Sequence, residues 1–133
     1  MLITRECDYA VRILRALSGG ETVSVQDICR REDITAPIAY KLARKLEKSG
    51  YIRSHRGSNG GYSLKKDLRE ITLYDVCRAV DRELFLTECT VRGHRCSQNT
   101  GASPCMVHKE FCRLQEIITR ELKNRSLMEI LEG

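Results

Sequence analysis

Residues 24–66 read SVQDICRREDITAPIAYKLARKLEKSGYIRSHRGSNGGYSLKK, and this stretch sets the architecture that we predict for the whole chain. Ser24 can cap a first helix, with Asp27 three residues on as the acidic form of a capping box. Thr35 can cap a second helix over residues 35–49. Two helices joined by a few residues, the second of them basic, indicate a helix-turn-helix.

The apolar positions of these two helices predict which faces are buried. On the first helix Val25, Ile28 and Cys29 should face inward. On the second helix a stripe at helical spacing should be buried, made of Ile38, Leu42 and Leu46. The polar and basic side chains of the second helix are then left on the solvent side: Tyr40, Lys41, Arg44 and Lys48.

Residues 51–66 predict a β-hairpin, because two extended runs flank a turn of Ser58, Asn59, Gly60 and Gly61. A hairpin directly after the second helix is the wing of a winged helix-turn-helix. Its tip is expected to carry Arg53, His55 and Arg56. These side chains are suited to reach phosphates or a narrow minor groove.

Further helices are predicted on both sides of this module. Residues 4–18 place four apolar residues at helical spacing: Ala10, Ile13, Leu14 and Leu17. Residues 71–81 predict a helix capped by Thr72. A long helix is predicted to start with Ser103 as cap and Pro104 at the first helical position, and Ser126 caps a short C-terminal helix.

The long helix carries an apolar stripe of about five turns, formed by Val107, Phe111, Leu114, Ile118 and Leu122. This is more apolar surface than one small globule needs, so we interpret it as a dimerisation helix; an intramolecular packing helix is the alternative. The predicted fold is mainly α-helical with a small β-hairpin wing. We assign residues 1–80 to a winged helix-turn-helix domain, residues 81–105 to a polar loop, and residues 103–133 to the dimerisation and C-terminal helices.

The composition is that of a soluble globular protein: 133 residues, 41% hydrophobic and 31% charged. No apolar run approaches the ~20 residues needed to cross a bilayer, so no membrane association is expected. The N-terminus lacks the features of a secretion signal, which predicts a cytoplasmic protein with reduced thiols. Seven cysteines in that compartment suggest metal or redox chemistry rather than disulfides.

The positive charge is concentrated in the first half of the chain. Residues 1–66 hold 13 Lys/Arg against 7 Asp/Glu, whereas residues 67–133 hold 10 against 11. A local basic patch indicates a polyanion partner, although a solvated helix face is the plainer reading. With the helix-turn-helix, it predicts binding to double-stranded DNA. The candidate DNA-binding residues are Thr35, Tyr40, Lys41, Arg44, Arg53, His55, Arg56, Ser58 and Asn59.

A second candidate site lies in residues 89–108, CTVRGHRCSQNTGASPCMVH, where Cys89, Cys96, Cys105 and His108 have the spacing C-x6-C-x8-C-x2-H. The intervening residues are small, polar or basic, so this loop cannot bury enough apolar area to offset its ordering entropy. Bonds to a metal centre can offset that entropy. Four thiolate or imidazole ligands suit an iron–sulfur cluster.

Zinc is the alternative metal, since it accepts three cysteines and one histidine, but the usual close C-x2–4-C pair is absent. His94 is interpreted as a solvated side chain and Cys112 as packed at a helix interface. Cys7, Cys29 and Cys77 occupy apolar helical positions and are interpreted as small buried hydrophobes.

The sequence resembles the IscR/NsrR-type winged-helix iron–sulfur regulators of bacteria over nearly its whole length. The resemblance rests on DYAVRIL in the first helix, HRGSNGGYSL in the wing, ITLYDVCRAVD, and the three-cysteine loop before a long helix. It implies a homodimer in which the long helices cross. It also implies a cluster bound near the place where one subunit's loop meets the other subunit's DNA-binding domain.

The resemblance offers two candidates for the fourth ligand. Cys89, Cys96, Cys105 and His108 resemble the ligands of the 2Fe–2S members, which we favour. Asp8 stands where 4Fe–4S members that sense nitric oxide place a carboxylate from the partner subunit, so a 4Fe–4S cluster is the alternative. Asp8 can also be read as a first-turn acid favoured by the helix dipole.

We therefore expect a dimeric transcriptional regulator that binds a palindromic operator under the control of an iron–sulfur cluster. The signal would be iron, redox state or nitric oxide. An enzyme is not expected, because the sequence has no phosphate loop and no nucleophile–base pair, and no small-molecule substrate is expected. The alternatives are a winged-helix protein with a structural zinc site and a small iron–sulfur electron-transfer protein.

Overall fold

A computed structural model describes residues 2–81 and 83–133 and confirms a mainly helical chain with one antiparallel hairpin. No helix in this described part is long and apolar enough to span a membrane. Short 3-10 turns occupy Leu68–Glu70 and Glu88–Thr90. The regular elements are α1 (Arg5–Ala16), α2 (Val25–Glu32), α3 (Ala36–Lys48), β1 (Ile52–His55), β2 (Gly61–Leu64), α4 (Leu73–Val80), α5 (Met106–Asn124) and α6 (Leu127–Glu132).

The core lies between α1, α3 and α4, and the stripe predicted on α1 is confirmed: Ala10, Ile13, Leu14 and Leu17 are buried. On α3 the prediction needs one correction. Leu42 and Leu46 are fully buried, but Ile38 is only partly buried and Ala39 is buried in its place. With Ala43, the buried residues of α3 follow the i, i+3, i+4, i+7 spacing of a helix face, and Ile38 borders that face.

Polar contacts fix α3 against its neighbours. Lys45 of α3 donates to the backbone oxygen of Val80, at the end of α4, over 2.8 Å, and to the Glu6 carboxylate of α1 over 2.8 Å. Glu47, the one acid in the basic stretch 40–66, accepts hydrogen bonds from the backbone and hydroxyl of Ser54 on β1. These contacts join α3 to α1, to α4 and to the hairpin.

The caps of α2 and α3 differ from the prediction, whereas those of α4 and α6 are complete capping boxes. Ser24 accepts a hydrogen bond from the Asp27 backbone, but the Asp27 carboxylate pairs with Arg30 at 2.6 Å. Thr35 occupies the N-cap position of α3 without a side-chain cap hydrogen bond. The Thr35 hydroxyl therefore does not cap the helix.

The hairpin pairs Ile52 with Leu64 and His55 with Gly61. Tyr62 also forms an antiparallel bridge with Val23, which attaches the wing to the segment before α2. Gly61 has a φ of +151°, and a Cβ there would lie 2.1 Å from the Val23 oxygen, so this approach requires glycine. The register corrects one prediction: Arg53 pairs with Ser63 within the strands and is not at the wing tip.

The predicted start of the long helix is also corrected. Ser103 forms a tight turn with Thr100, and the side chain of Asn99 accepts the backbone N–H of Cys105. Because these residues are held outside helical geometry, Cys105 is the N-cap and α5 begins at Met106.

Helix α5 has no buried residue, although Lys123 stacks on Tyr74 of α4 with its ammonium 4.2 Å from the ring centre. The C-terminal α6, which the sequence assigns to one unit with the long helix, packs on the winged domain. Leu127 is fully buried, and its backbone N–H donates to Ile71 over 2.7 Å.

Candidate DNA-binding face and cysteine cleft

A cleft of about 410 Å³ separates the start of α2, the exposed face of α3 and the wing. Tyr40, 48% exposed, faces it from α3. His55 and Ser58 line it from the hairpin, and Gln26 from the first turn of α2. Gln26 was missed by the sequence reasoning, although its place two residues after the Ser24 cap puts it at a helix N-terminus.

The basic residues of α3 are not equivalent. Arg44 is exposed on the outer face, as predicted. Lys41 is also exposed but forms an ion pair with Glu6 of α1. Hydrogen bonds from Lys41 and Lys45 hold the pKa of Glu6 below its ordinary value. The charge of Lys41 is therefore partly neutralised from within the chain.

The wing presents Arg56, Ser58 and Asn59 to solvent in and next to its turn. Arg53 is exposed on β1, and His55 ends that strand, with its Nε2 2.7 Å from the hydroxyl of Ser63. Thr35 is exposed at the start of α3. The predicted DNA-binding residues thus lie on exposed parts of α3 and the hairpin.

A separate cleft of about 270 Å³ lies between residues 89–99 and α5. Three of the predicted ligands line it: Cys89, Cys96 and His108. Cys105 is one turn before His108, and its sulfur accepts the His108 backbone N–H over 3.5 Å. Cys112, which we expected at a helix interface, lines the cleft as well.

Local hydrogen bonds shape the loop around this cleft. Cys89 lies in the 3-10 turn Glu88–Thr90, and Cys96 forms a bridge with Asn99. The Asn99 side chain accepts the Cys105 backbone N–H over 2.9 Å. The polar residues of the loop thus bond to its own backbone, and they hold the cysteines of the loop near the start of α5.

The donor set fits an iron–sulfur cluster in its chemistry, since thiolates and an imidazole are the ligands that such clusters take. In the described part of the chain no three Cys, His, Asp or Glu side chains converge as a site for one metal ion. Asp8 does not line the cleft of its own chain; it lies on α1 and pairs with Arg12 at 2.8 Å.

Two further cysteines form a buried pair away from this cleft. Cys7 is 0% exposed and Cys77 is 1% exposed, as expected for small core residues. A hydrogen bond with Cys7, together with burial, raises the pKa of the Cys77 thiol. The Cys7 thiol also lies 3.4 Å from the Asp81 carboxylate, to which it donates. Cys29, which we also expected to be buried, is only partly so.

Comparison with known proteins gives consistent results. The sequence profile of the family described as "Rrf2: Iron-dependent Transcriptional regulator" matches residues 3–133. The HTH-type transcriptional regulator IscR of Klebsiella pneumoniae is 34% identical over 136 aligned positions, which cover all of this chain and 81% of that protein. A regulator of Aquifex aeolicus is 28% identical over 98% of this chain and 92% of its own length.

Solved structures share the fold. The oxidized form of CymR from Staphylococcus aureus superposes with a TM-score of 0.77 and 22% identity, covering 100% of this chain and 98% of that one. IscR from T. potens superposes with a TM-score of 0.76 and 22% identity, covering 98% and 85%. Both likenesses support the winged-helix architecture with a long helix near the C-terminus.

Proposed function

The chain belongs to the Rrf2 family of transcriptional regulators, and from this membership we propose that it is a homodimeric cytoplasmic regulator whose operator binding is controlled by an iron–sulfur cluster. Its family and its homologues are DNA-binding regulators and not enzymes. The observation that carries the proposal is the presence, in one chain, of an exposed basic winged helix and a separate cleft lined by the thiols of Cys89, Cys96 and Cys112 and the imidazoles of His94 and His108.

In this proposal each subunit inserts α3 into a major groove and lays its wing along the flanking backbone. Tyr40, Lys41 and Arg44 reach base edges or phosphates, and Arg56 with the exposed turn residues contacts phosphates. Arg53 and His55 contribute from strand β1, and Thr35 from the start of α3. Two such units related by a two-fold axis match a palindromic operator.

We propose Cys89, Cys96, Cys105 and His108 as the ligands of a 2Fe–2S cluster. A carboxylate from the partner's Asp8 is the alternative fourth ligand and would favour a 4Fe–4S cluster. A bound cluster would supply an iron centre that responds to iron supply, oxidants or nitric oxide. The three thiols, as thiolates, would hold it, and the ligand bonds would add to the local hydrogen bonds that order the polar loop.

The path from the cleft to α3 is supported by contacts within this chain. Gln115 on α5 binds the backbone at Leu84 and Leu86, just before Cys89. That segment follows α4, whose last residue, Val80, accepts a hydrogen bond from Lys45 of α3. A change in the conformation of the loop would therefore change the position of α3 if the two states of the dimer differ in these contacts.

The test is anaerobic purification followed by iron and sulfide analysis, with DNA affinity of holo and apo protein measured on genomic fragments. We expect a red-brown protein whose two forms differ in operator affinity. Equal affinities of the two forms would contradict cluster control, and protein without iron would contradict the cofactor itself.

A second candidate is sensing by the cysteine thiols themselves, without a metal. One observation favours it: the thiols of Cys89, Cys96 and Cys112 line one cleft, and the sulfur of Cys112 lies 3.4 Å from Nε2 of His108. The fold is also shared with CymR, described for Bacillus subtilis as the global cysteine regulator. Colourless protein whose DNA affinity changes with thiol oxidation would support this candidate. A colourless protein with bound zinc would support a structural zinc site. A red-brown protein without DNA affinity would support an electron-transfer role.

A further inference from the structure

A fourth thiol shares the cysteine cleft with the predicted ligands. Cys112 lies four residues after His108 on α5, so the two side chains project from the same face of the helix. The sulfur of Cys112 is 3.4 Å from Nε2 of His108 and 3.9 Å from Nδ1. Both residues line the same cleft as Cys89 and Cys96. A group bound by His108 would therefore be within reach of Cys112.

Cys105 is placed differently from the cysteines that line the cleft. Its sulfur caps α5 by accepting the His108 backbone N–H, and it does not line the cleft. The three cysteines that do line the cleft are Cys89, Cys96 and Cys112. With Cys105 the chain offers four thiols in the pattern C-x6-C-x8-C-x6-C. The imidazoles of His108 and of His94, which we interpret from the sequence as solvated, also line the cleft.

We propose that Cys112 is an alternative fourth ligand of the cluster and can take the place of His108. The inference rests on the proposed function, because it concerns the same cofactor. Cys112 would hold the cluster through its thiolate where His108 would otherwise hold it through its imidazole, and the thiol proton would pass to that imidazole or to water. The thiolate is the ligand form of cysteine, so the resulting set is four thiolates, as in all-cysteine clusters.

The experiment uses the full-length protein loaded with iron and sulfide without oxygen. The variants are His108→Ala, Cys112→Ser and the double variant, with His108→Ala/Cys29→Ser as the matched control. Cys29 is also partly buried but lies on α2, outside the cleft. Iron and sulfide per chain, EPR spectra of the reduced protein and the reduction potential are measured, and circular dichroism reports on the fold.

We expect His108→Ala and its Cys29→Ser control to keep the cluster, and the double variant with Cys112→Ser to lose it. The cluster of His108→Ala should have a more negative reduction potential than that of Cys112→Ser, because a thiolate replaces the neutral imidazole as a ligand. Its EPR spectrum should carry no nitrogen coupling from a histidine ligand.

Two results would overturn the inference. One is a His108→Ala protein that is folded but colourless, since no other ligand would then replace the imidazole. The other is a folded His108→Ala/Cys112→Ser protein that keeps its cluster, since the substitute would then be another group, such as His94 of the same cleft or the partner's Asp8. Wild-type protein that binds no iron would instead contradict the proposed function, so the two failures are distinguishable.

Discussion

The side-chain amide of Gln115 accepts a hydrogen bond from the backbone N–H of Leu86 over 2.8 Å. Its nitrogen donates to the backbone oxygen of Leu84, also over 2.8 Å. One side chain of α5 thus satisfies a backbone donor and a backbone acceptor in the segment that leads to Cys89. This segment has no strand partner among the described residues, so Gln115 takes the place of a neighbouring strand.

The substitution Gln115→Leu should therefore make the backbone of the segment before Cys89 more mobile. Leaving a partly buried donor and acceptor unpaired costs about 1–3 kcal/mol, and the Leu86 amide should exchange with solvent much faster. Hydrogen exchange followed by NMR measures this directly. Gln115→Glu is the comparison variant, because it keeps the acceptor for Leu86 while it loses the donor to Leu84 and Thr119 and adds one negative charge. Unchanged protection of Leu86 in Gln115→Leu would show that the bond does not hold the segment.

The Glu6 ion pairs predict a specific pH dependence of stability. Hydrogen bonds from Lys41 and then Lys45 lower the pKa of Glu6 below its ordinary value of 4.5. The stabilisation is therefore complete above the unfolded-state pKa and is lost as the pH falls through the lower folded-state value. Because these side chains are partly exposed, we expect Glu6→Gln to reduce the free energy of unfolding by no more than about 1 kcal/mol at neutral pH.

Urea denaturation of wild type and Glu6→Gln over the range from neutral to acidic pH measures this difference. The difference should be constant near neutrality and disappear in acid. Glu132→Gln, at the exposed end of α6, controls for the loss of one negative charge. A difference that grows on acidification would contradict the assignment.

The cysteines should fall into two classes of reactivity. Cys7 and Cys77 are buried, and the pKa of Cys77 is raised by its hydrogen bond with Cys7 and by burial. Since neither thiol is accessible to the reagent, treatment of the native protein with iodoacetamide should leave both unmodified. The hydrogen bond with Cys77 lowers the pKa of Cys7, so the protection of Cys7 comes from its burial. The cleft cysteines, such as Cys96, are partly exposed and should react. Peptide mass spectrometry before and after unfolding measures this, and labelling of Cys77 in the native state at the rate of Cys96 would contradict it.

The sequence was most informative where the signal is local. Helical spacing predicts the buried face of α1, and the turn residues Ser58 to Gly61 predict the hairpin, because both depend on neighbours within a few residues. The predicted start of α5 was wrong. The side chain of Asn99, six residues before Cys105, accepts the Cys105 backbone N–H. The predicted position of Arg53 at the wing tip was also wrong. Strand register, and not distance from the turn, determines which residues form the tip.

The candidate site shows the same limit. The spacing of His108 and Cys112 already places them on one helix face, but which face the loop covers depends on how residues 89–99 fold. The ion pair of Lys41 with Glu6 joins residues 35 positions apart in the chain. No local pattern indicates such a pair, so the sequence predicts only that Lys41 lies on the solvent side of the helix.

Arg56 should contribute to DNA affinity through a phosphate and not through base recognition. Arg56→Ala should weaken binding to all sequences alike and reduce the slope of log K against log salt by about 1. Arg69→Ala is the matched control, because Arg69 is equally charged but pairs with Asp67 at the base of the wing. Fluorescence anisotropy over a series of salt concentrations gives both slopes. An unchanged slope in Arg56→Ala would exclude a phosphate contact by this residue.

The exposed apolar side chains of α5 should form the dimer interface. Met106 and Val107 are 68% and 61% exposed, and Phe111 is 36% exposed, in a helix with no buried residue. Several exposed apolar side chains on one helix of a small protein are typical of an association surface. The double substitution Val107→Glu/Phe111→Glu places two carboxylates in that surface, where their desolvation opposes association.

Analytical ultracentrifugation should find a dimer for the wild type and a monomer for Val107→Glu/Phe111→Glu. Lys109→Glu also adds a carboxylate to the same turn of α5, but at a solvated position, so it should remain dimeric. The monomeric variant should keep its helical circular dichroism, because the winged domain has its own core and holds Leu127 of α6 within it. It should bind a palindromic operator far more weakly than the wild type, since one half-site is then engaged instead of two. A double variant that remains dimeric would show that the two subunits associate through another surface.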